Sequence, residues 1–503
     1  MQHTNIESIL IVGGGTAGWM SAAALAKILG REKVKIRLVE SEDIGTVGVG
    51  EATIPQIQRF NIMLGLDDND FVKKTQATFK LGIQFVNWRK QGHSYIHAFG
   101  DVGIDVDAIP FYHYWLKLNH TNPDADIGEY CLNTSAALNR KFMRPINNPN
   151  SPLSNIPYAY HFDAGLYAKF LRQYAENLGV ERIEATIDQV NLRDSDGFVE
   201  SVTLKNGKQL AADLFIDCSG FKGLVIEEAL KTGYEDWSHW LPCDRAWAVP
   251  CASNKAPTSY TRSTAHSAGW QWRIPLQHRI GNGHVYSSKF MDDQEAKNIL
   301  LSNLDGEVLA APKQLRFTTG KRKQFWNKNC VAVGLSSGFM EPLESTSIHL
   351  IQSSLAKLIS LFPTKDFNQA NIAEYNRQTH FEFEKIRDFL ILHYHVTERD
   401  DSDFWNYCRT MEIPDSLAQK ISLFRSTGKI FRESYEMFSE LSWFEVMQGQ
   451  GLMPSSYHPL TDLTDDAVLH ERMSKIRQAI KTSVDLMPFH EDFIAQHCAA
   501  NKM

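Results

Sequence analysis

A glycine-rich turn close to the N-terminus constrains this chain more than any other feature. Ser8 to Val12 is a short apolar run, and Gly13-Gly14-Gly15-Thr16-Ala17-Gly18 follows it. Ala17 to Leu29 then reads as a helix, and Val34 to Val39 alternates as a strand does. A GxGxxG between strand and helix permits a tight turn. It also brings a pyrophosphate against the helix N-terminus, where unsatisfied N–H groups and the helix dipole favour negative charge. Glu40 closes the next strand (KIRLVES), where an acidic side chain accepts hydrogen bonds from the adenosine ribose. This context, more than the glycines alone, points to a βαβ dinucleotide site formed by Gly13, Gly15, Thr16, Ala17, Gly18 and Glu40.

With 503 residues and 43% hydrophobic content, the chain is long enough for two to four domains with substantial cores. Its 52 Lys and Arg against 59 Asp and Glu give a formal charge of -7, so it lacks the basic field that nucleic-acid binding needs. No run approaches the roughly 18 apolar residues of a membrane span, and MQHTNIE leads almost directly into the motif without a signal-peptide pattern. The expectation is a cytoplasmic enzyme with no nucleic-acid or membrane partner. The seven cysteines are scattered and never form CxxC, which predicts reduced core thiols and neither a disulfide framework nor a metal site.

Two later segments, Ala212 to Gly220 (ADLFIDCSG) and Asn329 to Gly334 (NCVAVG), are apolar strands that run into small-residue turns. That recurrence resembles the FAD-binding fold of glutathione reductase and the flavin hydroxylases, and it adds Gly334 and Leu335 to the flavin site. The glycine pairs at Gly281 to Gly283 and Gly449 to Gly451 lack the third glycine and the βαβ setting, so no separate NAD domain is expected. Asp68 to Thr78 looks helical. Phe79 to Trp88 alternates as one strand, with Leu81, Ile83 and Phe85 on one face and Lys80, Gly82 and Gln84 on the other. Pro145 to Pro157 reads as a loop, strands dominate until about Lys289, and the part after Glu344 is mostly helical in pattern. The expected class is α/β. A Rossmann-like FAD module over 1–350 carries an inserted β-sheet substrate region (about 80–145 and 230–320), and 351–503 is a helical region covering the substrate.

Three further motifs narrow the family. Gly269 to Pro275 reads GWQWRIP, with Trp270, Trp272 and Ile274 on one strand face and Pro275 closing it; Gly48 to Pro55 reads GVGEATIP; Glu341 to Thr346 reads EPLEST. Together with the N-terminal turn they resemble the flavin-dependent halogenases, most closely the tryptophan-halogenase branch, over Ser8 to about Trp443. The resemblance implies FAD used as FADH2, a halide ion, and a separate NAD(P)H-dependent flavin reductase that supplies the reduced cofactor. In that family a flavin peroxide is attacked by halide, and hypohalous acid travels through a tunnel to a lysine beside the aromatic substrate.

By position in TFKLGIQF, Lys80 is that lysine, and Glu344 is the carboxylate that stabilises the cationic ring intermediate, with Glu341 as the competing choice. Ser345 would orient Lys80 or the arene, and the amides of Thr346 and Ser347 would cradle the halide, serine at 347 standing where the family usually has glycine. GVGEATIP resembles the family's flavin strap, which places Ala52 at the cofactor and Pro55 toward the substrate. His97 and Phe99 of YIHAFG match a pair that stacks on the arene. The family's C-terminal clamp on an amino-acid backbone corresponds to Phe431 to Phe444, which contains Trp443 but lacks a Tyr-Tyr pair. A simple indole, with bromide preferred to chloride, is therefore expected over free tryptophan. Two other readings stay open at this point: a flavin-dependent aromatic hydroxylase, disfavoured by Leu335 after Gly334 where hydroxylases usually carry Asp, and a non-catalytic FAD-binding redox protein.

Overall fold

The apolar run at the start of the chain forms the strand Ser8–Val12, which lies between Lys35–Glu40 and Leu214–Asp217 in parallel register, Ile9 opposite both Ile36 and Leu214. The computed structural model describes residues 5–30, 33–42, 50–121 and 126–501. The chain divides into two units, each assembled from three segments: Met1–Ala77, Phe162–Asp244 and Arg316–Phe383 in the first, Thr78–His161, Arg245–Leu315 and Glu384–Met503 in the second.

In the first unit a six-stranded sheet runs in the order Trp326–Asn327, Cys330–Ala332, Leu214–Asp217, Ser8–Val12, Lys35–Glu40 and Glu181–Glu184. All pairs are parallel except the Trp326–Asn327 edge. The three strands singled out from the sequence as ending in small-residue turns are thus neighbours. A parallel sheet is covered on both faces, so its central strands are apolar at successive positions; Ile9, Leu10, Ile11 and Val12 are all buried. Leu10 and Val12 pack with Val202, Leu204 and Leu210 of an antiparallel meander, Ile187–Leu192, Val199–Leu204 and Gln209–Ala211. Alternation sends Ile9 and Ile11 to the opposite face. The helix Thr16–Leu29 carries buried Ala22, Ala23, Ala24 and Ala26, the best helix formers, and with Ser21 their small side chains let Ala164–Asn177 and Ser347–Ser360 approach closely.

The second unit is organised on a seven-stranded sheet in the order Lys313–Arg316, Arg245–Cys251, Ile280–Tyr286, Gly269–Pro275, Tyr260–His266, Gly82–Val86 and Ser94–Ala98. Every residue of Gly269–Pro275 and Ile280–Tyr286 is buried. Trp272 stands opposite Gly283, and a Cβ at 283 would fall 2.0 Å from the Trp272 ring, which explains a glycine in a strand interior. Helices Glu440–Gly449, Asp466–Leu486 and His490–His497 belong to this unit, and Ser439 and Asp465 cap the first two by accepting from Ser442 and Ala467 amides. The division between the units falls inside one continuous helix, Gln369–His395.

The single strand expected from Phe79 to Trp88 is two strands. Thr78–Lys80 pairs antiparallel with Ala159–His161, whereas Gly82–Val86 joins the seven-stranded sheet between Tyr260–Thr264 and Ser94–Ala98. Leu81 makes the break: its amide donates to the Ser259 carbonyl at 2.7 Å and its carbonyl accepts from Phe99 at 2.8 Å. Alternation in sequence cannot reveal such a switch of partners, because both halves keep the same period.

Candidate active site

In the first unit the glycine turn is fixed by its neighbours. Gly13 has φ of 108°, in the left-handed region, and a Cβ there would lie 2.4 Å from the Cys218 carbonyl oxygen. A Cβ at Gly14 would meet the Glu40 carboxylate at 1.5 Å, and one at Gly18 the Gly13 carbonyl at 1.8 Å. Gly15, the residue before the helix Thr16–Leu29, differs: a Cβ there would have nothing within 4 Å. The turn is therefore packed on three sides and open at the helix N-terminus, the shape a pyrophosphate needs, and the residues present fit FAD. Glu40 reaches this turn and accepts from Arg182 at 2.5 Å. Arg182 carries no signal in the sequence to mark it as a partner. Gly334 brings the third strand to the same place, since a Cβ there would sit 2.6 Å from Ala17. Ala52 is buried, Pro55 is half-buried, Leu335 is exposed, and Gly48 and Val49 of the strap lie outside the described residues. Burial pushes the Glu51 carboxyl up to about 7.

EPLEST lies in the same unit. Pro342–Glu344 is a short 3₁₀ turn, Ser345 follows with φ of 59°, and the helix Ser347–Ser360 begins two residues later. A left-handed serine is uncommon and turns the chain sharply. Glu341, Glu344, Ser345 and Thr346 are all buried. The amides of Thr346 and Ser347 open a 14-residue helix, where no intrahelical acceptor exists, and the Thr346 side chain does not cap it. One turn along, Glu382 binds His349 at 3.0 Å, Ser353 at 2.7 Å and Lys357 at 2.5 Å. Although burial opposes its charge, these partners hold the Glu382 carboxyl down at about 2.

In the second unit Lys80 is fully buried, and its Nζ stands 5.3 Å from the centroid of the Phe99 ring. Phe99 directly follows the strand Ser94–Ala98 that carries His97. Close by, Thr78 donates to the Pro275 carbonyl at 2.7 Å, tying the end of GWQWRIP to the Lys80 strand. Because a hydroxyl has one proton, Thr78 must accept from Nδ1 of His161 at 3.0 Å, which leaves Nε2 to accept from Thr261 at 2.9 Å. Burial, then the Lys80 charge, hold the His161 pKa well below the usual imidazole range, in keeping with this neutral tautomer. Trp270 packs between Trp88 and Trp272, at ring distances of 6.3 and 6.2 Å. Trp443 is fully buried against Phe389, which stacks on Phe438 at 3.7 Å. His97 lies 5.7 Å from Phe389 and 3.9 Å, Nε2 to Oε2, from Glu445. Glu445 was not singled out from the sequence, although an acidic residue inside the apolar run SWFEVM was a usable signal.

A glycine turn with an acidic residue at the end of its second strand, and a third strand turning at Gly334 beside Ala17, define a dinucleotide-binding flavoprotein fold. The family model described as tryptophan halogenase matches residues 8–466, and the chain belongs to that family. It is 34% identical to the tryptophan 6-halogenase SttH of Streptomyces toxytricini, over 98% of this chain and 99% of that protein. It is 33% identical to the tryptophan 7-halogenase RebH of Lentzea aerocolonigenes, over 98% of each. Among solved structures, a flavin-dependent halogenase from Xanthomonas campestris is 48% identical with a TM-score of 0.96, covering 99% of this chain and all of that one. One from Brevundimonas sp. BAL3 is 48% identical with a TM-score of 0.94, covering 97% and 99%. Membership makes this chain an enzyme, a flavin-dependent halogenase, and decides against the hydroxylase and the non-catalytic readings. It also implies use of FAD and a halide, an aromatic substrate and a separate flavin reductase. Among the described residues no helix is long and apolar enough to cross a membrane.

Proposed function

We propose that this enzyme halogenates an electron-rich, indole-type arene, with Lys80 as the residue that presents hypohalous acid to the ring. The supporting observation is a lysine removed from water and set over the ring of Phe99, which directly follows the strand that carries His97. Burying an ammonium is costly, and at this place it stands beside an aromatic ring, at the family's motif position for the lysine that meets the electrophile. An ammonium at that place can hydrogen-bond and polarise hypohalous acid; as a neutral amine it can form a milder N–X electrophile.

The Gly13 to Gly18 turn, Glu40 and Gly334 would hold the flavin, which in its reduced form would activate oxygen, the oxidant that turns halide into hypohalous acid. The flavin's reducing equivalents come from a separate NAD(P)H-dependent reductase, because the one dinucleotide motif is assigned to the flavin. The amides of Thr346 and Ser347 hold the halide by the logic of any helix start, and bromide is used more readily than chloride. Glu344 stabilises the cationic ring and helps remove its proton, and Ser345 orients the reacting groups. His97 and Phe99 hold the arene by ring contacts, and Phe431 to Phe444 lacks the Tyr-Tyr pair of the family's clamp on an amino acid's charged groups, so indole reacts better than L-tryptophan and at C3, its most nucleophilic carbon.

The test is an aerobic reaction of the FAD-loaded enzyme with a flavin reductase, NADH, bromide or chloride, and either indole or L-tryptophan, read by mass spectrometry. A 3-haloindole as the main product is expected. A hydroxylated product in the presence of halide, or clean benzo-ring chlorination of L-tryptophan in preference to indole, would overturn the proposal.

A further inference from the structure

Gly82–Val86 runs parallel to Tyr260–Thr264, and just before it the Leu81 amide donates to the Ser259 carbonyl at 2.7 Å. At the ladder's period of two, the next bond back would run from the Phe79 amide to the Pro257 carbonyl. The imidazole of His490 stands between those two groups instead. A carbonyl only accepts, so Nδ1 donates to Pro257 at 3.0 Å; an amide N–H only donates, so Nε2 accepts from Phe79 at 3.1 Å. Two hydrogen bonds and a ring replace one hydrogen bond, and Thr78–Lys80 is held off the seven-stranded sheet, where it pairs with Ala159–His161. Burial holds the His490 pKa down at about 4, which keeps this neutral tautomer near neutral pH. His490 opens the helix His490–His497, whose Phe493 meets the Phe79 ring edge-on at 5.5 Å while Phe142 stacks on it at 4.1 Å. The helix start is itself tied down, the His490 amide donating to the Arg140 carbonyl at 2.8 Å.

We propose that His490 is a positioning residue for Lys80: its ring is a wedge that turns the chain out of the sheet at Leu81 and so sets the direction in which the lysine points. This rests on the role given to Lys80 above. The wedge acts through the backbone of Phe79, and strand alternation puts the Lys80 side chain on the face opposite the Phe79 ring that the helix grips. A misplacement of about 1 Å can cost on the order of a hundredfold in rate. Without the Phe79 bond, hypohalous acid should form as before, miss the lysine and escape to solution.

The experiment compares His490→Gln, whose amide oxygen can accept where Nε2 stood, with His490→Asn, which can still donate to Pro257 but does not reach Phe79. Each loses one hydrogen bond, so a merely structural role treats them alike. The FAD-loaded enzyme is run with a flavin reductase, NADH, bromide and indole, under an excess of the 1,3-diketone monochlorodimedone, which consumes hypobromous acid released to solution. Bromoindole formed per flavin reoxidised then reports transfer on the enzyme. His490→Asn is expected to give at least five times less bromoindole per flavin than His490→Gln, with the brominated diketone rising in step. A difference under fivefold overturns the inference. Should either variant fail to fold, Phe493→Leu, which loosens the same grip on Phe79, must lower bromoindole per flavin at least twofold, and a smaller change counts against the wedge. Absence of any haloindole from the wild-type enzyme would sink the proposed function. Hydrogen exchange of the Phe79 to Leu81 backbone, expected to be at least fivefold faster in His490→Asn than in His490→Gln, would still decide whether the wedge exists.

Discussion

In the unit that carries the glycine turn, the candidate site is made of backbone: glycines pressed against the Cys218 and Gly13 carbonyls and a helix that starts at Thr16. In the unit that carries Lys80, it is made of side chains: a buried ammonium, rings from two helices and a strand, and a histidine facing a glutamate. The difference separates what is general from what is particular. Backbone N–H groups and a helix dipole bind any pyrophosphate, whereas the polarity and spacing of side chains decide which arene is held and where it is attacked.

Breaking the backbone site should have the largest effect. Gly18→Ala would push a methyl group to 1.8 Å from a carbonyl oxygen of the turn, so the purified variant should contain less than a tenth of the wild-type FAD and form correspondingly little product. Absorbance of bound flavin measures this directly. If the variant keeps a full complement of FAD, the turn does not hold the cofactor. Indole binding by the second unit, followed by calorimetry, should be little changed.

Glu344→Gln comes next. It should slow halogenation about a hundredfold, roughly 2.7 kcal/mol in the barrier, with Glu341→Gln milder and FAD content equal in both. The ordering sharpens the comparison, since both glutamates are buried in one segment and only one is assigned to the chemistry. A more damaging change at Glu341 would reverse the assignment.

The smallest effect concerns Glu51 and is one of stability. Its carboxyl titrates near 7 in the folded chain and near 4.5 when unfolded, so between those values the folded state holds a proton that unfolding releases. The stability linked to this proton is complete below about 4.5 and is lost as pH rises through 7. Thermal melting of the FAD-free protein should accordingly fall between pH 5 and pH 8, and Glu51→Gln should flatten that slope. An unchanged slope would show that Glu51 does not carry it.

How much was legible follows the same division. The glycine turn, Glu40 and the strand entering Gly334 could be read because backbone geometry demands particular residues at fixed spacing, and the structure puts all of them in one place. Lys80 could be located only through its motif, since alternation treats Phe79 to Trp88 as one strand and hides the change of partner at Leu81. Arg182 beside Glu40, and Glu445 beside His97, are pairings across 142 and 348 positions that no local pattern encodes. Gly283 is instructive in the opposite sense, because it looked like half of a nucleotide motif and is instead the space that Trp272 fills.

The central claim is that Lys80, in the side-chain site, acts after the flavin chemistry is complete. The most direct measurement follows flavin oxidation by stopped flow and haloindole formation by mass spectrometry in Lys80→Ala and its closer match in shape, Lys80→Met. Both variants should bind FAD and reoxidise it at wild-type rates while forming less than a tenth of the wild-type product, a barrier raised by at least about 1.4 kcal/mol. More than a tenth of the product from either variant, or slowed flavin reoxidation in both, would contradict the account.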